Sequence, residues 1–175
     1  MSCGDITMRE RRDDFSFCFK KVGGLRLGEP NENLVRVYIK KSRSALNMLN
    51  SAIEKQENEW ILDISYYAKY FIVYALFMKV GIKSEIHDCT IFALKSLFVD
   101  EGLVDKGIYD ELEKSKGLRV DALYYNKEFG KEQVIKHAKV APDFCLKVEQ
   151  ILGRTNEGDI CRVRRKFETL RREII

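Results

Sequence analysis

The sequence predicts an all-α fold, an up-and-down bundle of about five helices followed by a C-terminal amphipathic helix. Two observations carry this prediction. Apolar residues recur at steps of three and four over several long segments, which is the period of an amphipathic helix. Only two prolines and eleven glycines interrupt the 175 residues, and 33% of the residues are charged. Such a composition is typical of a helix-rich protein with a heavily charged surface.

The first two predicted helices span about 34–56 and 59–80. Pro30, followed by Asn31 or Asn33 as a cap, marks the start of the first. The second carries one apolar stripe from Ile61 to Met78 and a second, aromatic stripe. A helix with two apolar faces lies in the middle of a bundle or between a bundle and a partner chain. The aromatic stripe is therefore a candidate homodimer surface, with ordinary core as the alternative; it consists of Tyr67, Tyr70, Tyr74 and Phe77.

Glycine and proline place the remaining helix boundaries. Gly81 should end the second helix, and Ser84 can cap a third that stops near Gly102. A shorter segment over 105–116 is predicted to end at Gly117, just before an isolated arginine, Arg119. The last long helix should span 131–152, with a kink or restart at the proline at position 142.

A polar hinge at 153–158 precedes the terminal helix, so the sequence predicts a bundle over 1–152, with an N-terminal extension, and a basic segment over 153–175. This segment belongs to the same domain or contacts a partner. It holds seven basic residues against four acidic ones, which is +3 of the net charge of +4. Arg162, Arg165 and Lys166 are candidate contacts to the phosphates of a nucleic acid. The alternative is a solvated face whose apolar side docks on the bundle or on a partner.

Composition excludes several classes of protein. Residues 1–14 carry charges where a secretory signal has an apolar core, and the longest apolar run, 71–78, is far shorter than the roughly 20 residues that span a bilayer. Neither export nor a membrane span is predicted. Cys3, Cys18, Cys89, Cys145 and Cys161 stand far apart without a Cys-x-x-Cys pair. We therefore expect reduced, mostly buried thiols in a cytoplasmic protein.

Several short motifs together resemble the HEPN domains, helical bundles named from higher eukaryotic and prokaryotic nucleotide-binding proteins. They are Gly-Leu at 24–25 leading to Pro-Asn at 30–31, Ser-Tyr-Tyr-Ala at 65–68, Ala-Leu at 75–76, Gly-Ile-Lys-Ser-Glu-Ile-His at 81–87 and Arg-Val-Asp-Ala-Leu-Tyr at 119–124. The resemblance covers about 15–152. It implies a bundle that forms homodimers, that is often encoded beside a small nucleotidyltransferase, and that in some members is a metal-independent ribonuclease.

The chain departs from the ribonuclease members of that family at one position. Those members carry a histidine four to six residues after the arginine, whereas Leu123, Tyr124 and Tyr125 follow Arg119 here. Tyrosine, with an ordinary pKa of about 10, is a poor base at neutral pH. Arg119 can still bind a phosphate, and Tyr124 or Tyr125 can stack on a base. Alternatively, Arg119 forms an ion pair with a nearby acid such as Asp121 or Glu128.

The two histidines give no further catalytic motif. His87 lies in the first turn of the third helix, where the helix dipole disfavours a positive charge, so a neutral, packed side chain is expected. His137 is expected on the flank of the core. With no matched carboxylate or cysteine spacing, the sequence predicts no metal site and no cofactor.

Three functions are consistent with these residues. The favoured one is a non-catalytic or regulatory HEPN-like dimer that binds a nucleotidyltransferase-type partner, a nucleotide or RNA. The second is a metal-independent ribonuclease with an altered active site at Arg119, in which Tyr124 and Tyr125 are the other candidate catalytic residues. The third is a basic helical adaptor that binds RNA or protein through Arg162, Arg165 and Lys166. An enzyme is the less favoured interpretation.

Overall fold

The computed structural model describes residues 15–125 and 127–175, which form an all-α bundle as predicted. The N-terminal extension, with Cys3, lies outside the described residues. A short helical segment, 15–20, comes first. The described part then contains α1 (Glu32–Lys55), α2 (Asn58–Val80), α3 (His87–Leu94), α4 (Lys106–Tyr124), α5 (Lys131–Ala138), α6 (Ala141–Arg154) and α7 (Glu157–Ile174), with a π-helical turn (Lys95–Val99) extending α3. Two short antiparallel strands, β1 (Arg26–Leu27) and β2 (Ile82–Lys83), pair with each other.

Helices α1 and α2 form an antiparallel hairpin. Asn31 caps α1, because its side chain accepts a hydrogen bond from the backbone N–H of Leu34 at 2.9 Å. Gln56, in the left-handed conformation at φ 62°, ends α1 and turns the chain into α2. Of the two predicted caps, Asn31 is therefore the one used.

The centre of the bundle is α2, which contacts α1, α4, α5, α6 and α7. Tyr66, Ile72, Leu76 and Phe77 on this helix are all at most 1% exposed, and each such side chain stabilises the fold by about 1.5–3 kcal/mol. In the described residues α2 alone is long and apolar enough to cross a membrane, but 78% of its most apolar window is buried inside the protein. It is the core helix of the bundle.

Three predicted boundaries are corrected. Gly117 does not end a helix, because α4 continues through it to Tyr124 and places Arg119 inside the helix. Ser84 does not cap α3, which begins at His87. The Ser84 hydroxyl instead accepts a hydrogen bond from the backbone N–H of Ile86. The predicted hinge at 153–158 is shorter, since α6 runs to Arg154 and α7 begins at Glu157. The restart predicted at the proline at position 142 is confirmed, because α5 and α6 are separate helices with this proline in the first turn of α6.

The expectation of reduced thiols is wrong for one pair. Cys18 and Cys89 are joined by a disulfide across a sequence separation of 71 residues. The helical segment 15–20 packs beside α3, where the ring of Phe15 lies 4.4 Å from that of Phe92, and this brings the two sulfurs together. Cys145 is a buried thiol and Cys161 an exposed one.

The terminal helix α7 docks on its own chain. A capping box between Asn156 and Asp159 starts the helix, and its apolar side buries Val163 and Phe167 in the main core. Arg164 donates hydrogen bonds from Nη1 to the carbonyls of Gly28 at 2.7 Å and Val80 at 2.9 Å. Arg164 of the basic segment therefore supplies a hydrogen-bond donor to the last carbonyl of α2, which has no partner within the helix.

Candidate functional site

Arg119 lies on α4 and faces the amino-terminal half of α2. Its Nε donates to Oδ1 of Asp63 at 2.5 Å, and its Nη2 donates to the hydroxyl of Tyr67 at 3.2 Å. The ion-pair partner is therefore Asp63, on a different helix, and not Asp121 or Glu128. Both side chains of the pair are 14% exposed, so solvent screens the ion pair only partly. The orientation of the guanidinium is fixed.

Aromatic rings surround this guanidinium. Its central carbon lies 5.4 Å from the ring centroid of Tyr66, 5.0 Å from that of Tyr67 and 6.0 Å from that of Tyr124. These distances are within the range of cation–π attraction. Tyr66 is fully buried, and burial is the main cause that raises the pKa of its hydroxyl, so this group stays protonated at neutral pH.

His87 is 32 residues from Arg119 in the sequence, but it lies beside the rings of Tyr66 and Tyr67. Its Nδ1 is in hydrogen-bond contact with the Tyr66 hydroxyl at 2.9 Å, and its ring stacks on that of Tyr70 with centroids 4.1 Å apart. Burial lowers the pKa of His87 below its ordinary value, and the positive charges of Arg119 and Lys116 lower it further. The imidazole is consequently neutral at pH 7, as expected from its place in the first turn of α3.

A second cation, Lys116, stands one turn before Arg119 on α4. It forms an ion pair with Asp88, whose side chain is 68% exposed. Burial and the charge of Arg119 lower the pKa of Lys116. Three helices thus converge at what we call the Arg119 site, which consists of Asp63, Tyr66 and Tyr67 from α2, His87 from α3, and Lys116, Arg119 and Tyr124 from α4.

The chemistry open to the Arg119 site follows from its free donors. A guanidinium has five N–H groups, and the described residues occupy one on Nε and one on Nη2. Nη1 and the second N–H of Nη2 can bind two oxygens of one phosphate. The pair between Lys116 and the exposed Asp88 is worth at most about 1 kcal/mol, so an anion can replace Asp88 at small cost.

The other predicted binding residues lie elsewhere. Tyr125 follows the end of α4 and is 75% exposed. On α7, Arg162 pairs with Asp159 at 3.0 Å and Lys166 with Glu101 at 3.4 Å, whereas Arg165 is exposed. Arg164 of α7 contacts Val80 at the carboxyl end of α2, whereas Arg119 contacts Asp63 and Tyr67, so the two contact points are about 20–25 Å apart along that helix. Arg119 and the cations of α7 cannot hold one phosphate together.

Most of the aromatic stripe is buried within the single chain. Tyr70 and Tyr74 are 5% and 7% exposed, and Phe77 is fully buried against Phe98 with ring centroids 4.9 Å apart. The Tyr74 hydroxyl donates to the carbonyl of Ser84 at 2.7 Å. These three rings are core, which was the alternative to a dimer surface. Of the four residues of the stripe, Tyr67 alone is partly exposed, so it is the one that a partner chain can contact.

A polar cluster that the sequence did not indicate lies further along the same contact between α2 and α4, where His137 of α5 joins it. Lys69 is 0% exposed, and its Nζ donates to Oε1 of Glu111 at 2.7 Å and to Oγ of Ser115 at 2.9 Å. His137 Nε2 is 3.1 Å from the same Ser115 hydroxyl. Burial, and then the charge of Lys69, lower the pKa of His137 to about 4. The only sequence sign was a lysine on an otherwise apolar face of α2.

The chain matches no protein-family model, and no curated protein sequence matches it. Its resemblance to HEPN domains therefore stays a prediction. The best evidence for function is the side-chain chemistry of the Arg119 site.

Proposed function

We propose that this chain is a non-catalytic, regulatory HEPN-like subunit whose Arg119 site binds the phosphate of a nucleotide or of RNA. The observation that carries the proposal is the fixed guanidinium of Arg119, held by Asp63 and Tyr67 with N–H donors left for a ligand. A homodimer and a nucleotidyltransferase-type partner belong to the same proposal, and they are supported by the family resemblance alone.

Phosphate is the ligand that best suits this geometry. The planar fork of an arginine matches two phosphate oxygens, and a side chain already oriented by its neighbours loses less freedom on binding. Lys116, three residues earlier on the same helix, adds a second positive charge. The tyrosine rings around Arg119 can contact the sugar or base that accompanies the phosphate.

One observation supports a second function, metal-independent cleavage of RNA. His87 and Arg119 both contact Tyr66 and Tyr67, so a histidine is present near the arginine in space although it is missing from the sequence after it. Neutral imidazole is the form that accepts a proton from a ribose hydroxyl. The same lowered pKa leaves little of the protonated form that would return a proton to the leaving oxygen.

A third function, an adaptor that binds through α7, is less well supported. Arg164 is committed to backbone carbonyls, and Arg162 and Lys166 already have acidic partners. Deleting α7 would not test it, because Val163 and Phe167 are part of the core. Charge reversal at the exposed Arg165 is the suitable variant.

The test uses end-labelled single-stranded RNA with purified protein in EDTA. We expect retarded, intact RNA with the parent and roughly 10- to 150-fold weaker binding with Arg119→Ala, from the loss of charged hydrogen bonds. Arg165→Glu should bind as the parent does, whereas weaker binding by this variant would favour the adaptor that binds through α7. Equal binding by Arg119→Ala and the parent would contradict the proposal.

Cleavage is measured on the same gel. If the parent cuts RNA in EDTA, and both His87→Ala and Arg119→Ala abolish cutting, the second function replaces the first. Cutting that persists in both variants indicates a contaminating nuclease. Intact RNA excludes the ribonuclease.

A further inference from the structure

An apolar groove opens between α1 and α2 beside the Arg119 site. Its volume is about 560 Å³, and its lining includes Lys41, Met48, Trp60, Ile64, Tyr67 and Phe71. Trp60, Ile64, Tyr67 and Phe71 follow one another at steps of three and four, so they lie along one face of α2. This face extends for about 16 Å. Three aromatic rings thus line one wall of the groove.

The groove is continuous with the Arg119 site. Asp63 and Tyr67 line the groove, and they are also the two residues that bind the Arg119 guanidinium. A phosphate on the free donors of Arg119 therefore lies next to the mouth of the groove. A ligand with one charged end and one flat apolar part can occupy both.

The groove exposes apolar side chains that a monomer normally covers. Trp60 is 57% exposed and Met48 is 58% exposed. At the other end of the groove, Nζ of Lys41 lies 5.6 Å from the Phe71 ring centroid and 4.9 Å from that of Tyr38. Lys41 therefore stands at the Phe71 end of the aromatic wall, and Arg119 stands beside its middle, at Tyr67. Adjacent exposed apolar side chains of this kind mark binding surfaces.

We infer that this groove, next to Arg119, binds bases of single-stranded nucleic acid by stacking on Trp60, Tyr67 and Phe71. The inference rests on the proposed function and specifies its ligand class. Two cations beside a row of aromatic rings suit a single strand, because the cations can contact its phosphates and the rings can stack on its bases. The lining carries few polar groups, so stacking here is tolerant of base identity. A duplex does not fit, because its base faces are covered by neighbouring bases.

Trp60 is the only tryptophan of the chain, so its fluorescence reports directly on the groove. We would titrate the parent protein with single-stranded oligouridylate, with inorganic pyrophosphate and with duplex RNA. Stacking predicts saturable quenching by the single strand. Pyrophosphate binds at Arg119 but should leave the emission of Trp60 unchanged, and the duplex should quench far less.

Variants separate this inference from the proposed function. Binding by the variants is measured by titration calorimetry, because Trp60→Ala removes the only fluorescent tryptophan. Trp60→Ala should weaken binding of the single strand roughly 5- to 150-fold, the range for loss of one stacked base, and leave pyrophosphate binding unchanged. Trp60→Phe keeps an aromatic face and should restore most of the affinity. Leu146→Ala is the control, because Leu146 is also exposed, at 56%, and lies on α6.

The outcomes that overturn the inference are distinct. If RNA binds in an Arg119-dependent way, but Trp60 emission is unchanged and Trp60→Ala binds equally well, the groove is not a base site and the proposed function stands. If RNA does not bind but pyrophosphate does, the inference fails and the nucleotide form of the proposed function stands; if neither binds, both fail. If the emission instead changes with protein concentration, and sedimentation shows a dimer that Trp60→Ala abolishes, a second copy covers the groove and the inference is wrong.

Discussion

His87 and Arg119 contact the same side chain, that of Tyr66. The Tyr66 hydroxyl is 2.9 Å from His87 Nδ1, and the guanidinium carbon of Arg119 is 5.4 Å from the Tyr66 ring centroid. The charge of Arg119 is one of the causes that lower the pKa of His87. A phosphate bound at Arg119, as proposed, would offset that charge, so ligand binding is expected to raise the pKa of His87.

Arg119→Gln is expected to raise the pKa of His87 toward its ordinary value, because it removes a nearby positive charge. Arg119→Lys keeps the charge and should leave the pKa of His87 low. The chain has two histidines, so both imidazole signals can be followed by NMR during a pH titration. His137 does not have Arg119 among its perturbing charges and serves as the internal control. An unchanged His87 titration in Arg119→Gln would show that the two groups do not interact.

Two glycines that the sequence treated alike should respond oppositely to alanine. At Gly81, φ is +78°, and a Cβ would lie 2.5 Å from the carbonyl oxygen of Gly28 and 2.6 Å from Nη1 of Arg164. We expect Gly81→Ala to cost about 2–3 kcal/mol of unfolding free energy through strain and the displaced Arg164. At Gly117, inside α4, a Cβ meets nothing within 4 Å. Gly117→Ala should therefore stabilise by about 0.5–1 kcal/mol.

Urea unfolding of the two glycine variants beside the parent measures both effects. Destabilisation by Gly117→Ala would mean that α4 ends there, as the sequence alone suggests. In that case Arg119 would not face α2.

Loss of the disulfide should destabilise the protein strongly. Cys18 and Cys89 close a loop with a sequence separation of 71 residues, for which the chain-entropy model gives about 4 kcal/mol. Cys18→Ser is compared with Cys161→Ser, which changes an exposed thiol and should be neutral. Thiol titration of the denatured, unreduced parent should find two fewer free thiols than after reduction. Equal thiol counts would show that the bond is absent, as in a cytoplasmic protein kept reduced.

The features that could be predicted correctly from the sequence are those that depend on residues close together in the chain. Asn31 caps α1 because its side chain bonds a backbone group three residues away, and the proline at position 142 restarts a helix through its own ring. Gly117 failed as a local signal because glycine ends a helix only where it adopts positive φ, and this one does not. The bundle could be predicted for the same local reason, since helical period is a short-range pattern.

The partners within the Arg119 site are non-local and could not be predicted. Asp63 and His87 are on helices other than that of Arg119, and no spacing rule connects them. The aromatic stripe on α2 correctly indicated a second buried face, but periodicity does not distinguish a face buried by the same chain from one buried by a partner. The structure shows that this face is buried by the same chain, because Tyr70 bonds Thr90 on α3 and Tyr74 bonds Ser84 in the loop before it.

The buried pair of Lys69 and Glu111 should respond unequally to removal of its two members. Glu111→Leu leaves the fully buried ammonium of Lys69 without its counter-charge, which is expected to cost about 3–5 kcal/mol. Lys69→Met leaves a carboxylate that is 19% exposed and can be solvated, so its cost should be smaller. The double variant should recover much of the loss. Additive costs in urea unfolding would show that the two charges do not interact.

The stability of the protein should fall on mild acidification because of His137. Burial and the charge of Lys69 lower the pKa of this imidazole from 6.5 to about 4. Between these values the unfolded chain binds a proton that the folded chain does not, so the free energy of unfolding decreases as pH falls through this window. The expected loss between pH 7 and pH 5.5 is about 1 kcal/mol from this group, and His87, whose pKa is also lowered, acts in the same direction.

His137→Gln removes the titrating group from the buried cluster and should flatten this pH dependence in urea unfolding. His87→Gln is the matched variant. Its free energy of unfolding should still decrease with pH by the amount that His137 contributes. Carboxylates contribute little between pH 7 and pH 5.5 because their ordinary pKa values, about 4, lie below this interval. If His137→Gln loses stability with pH as steeply as the parent, His137 binds its proton equally well in the folded and unfolded chain. The imidazole would then not be held neutral beside Lys69.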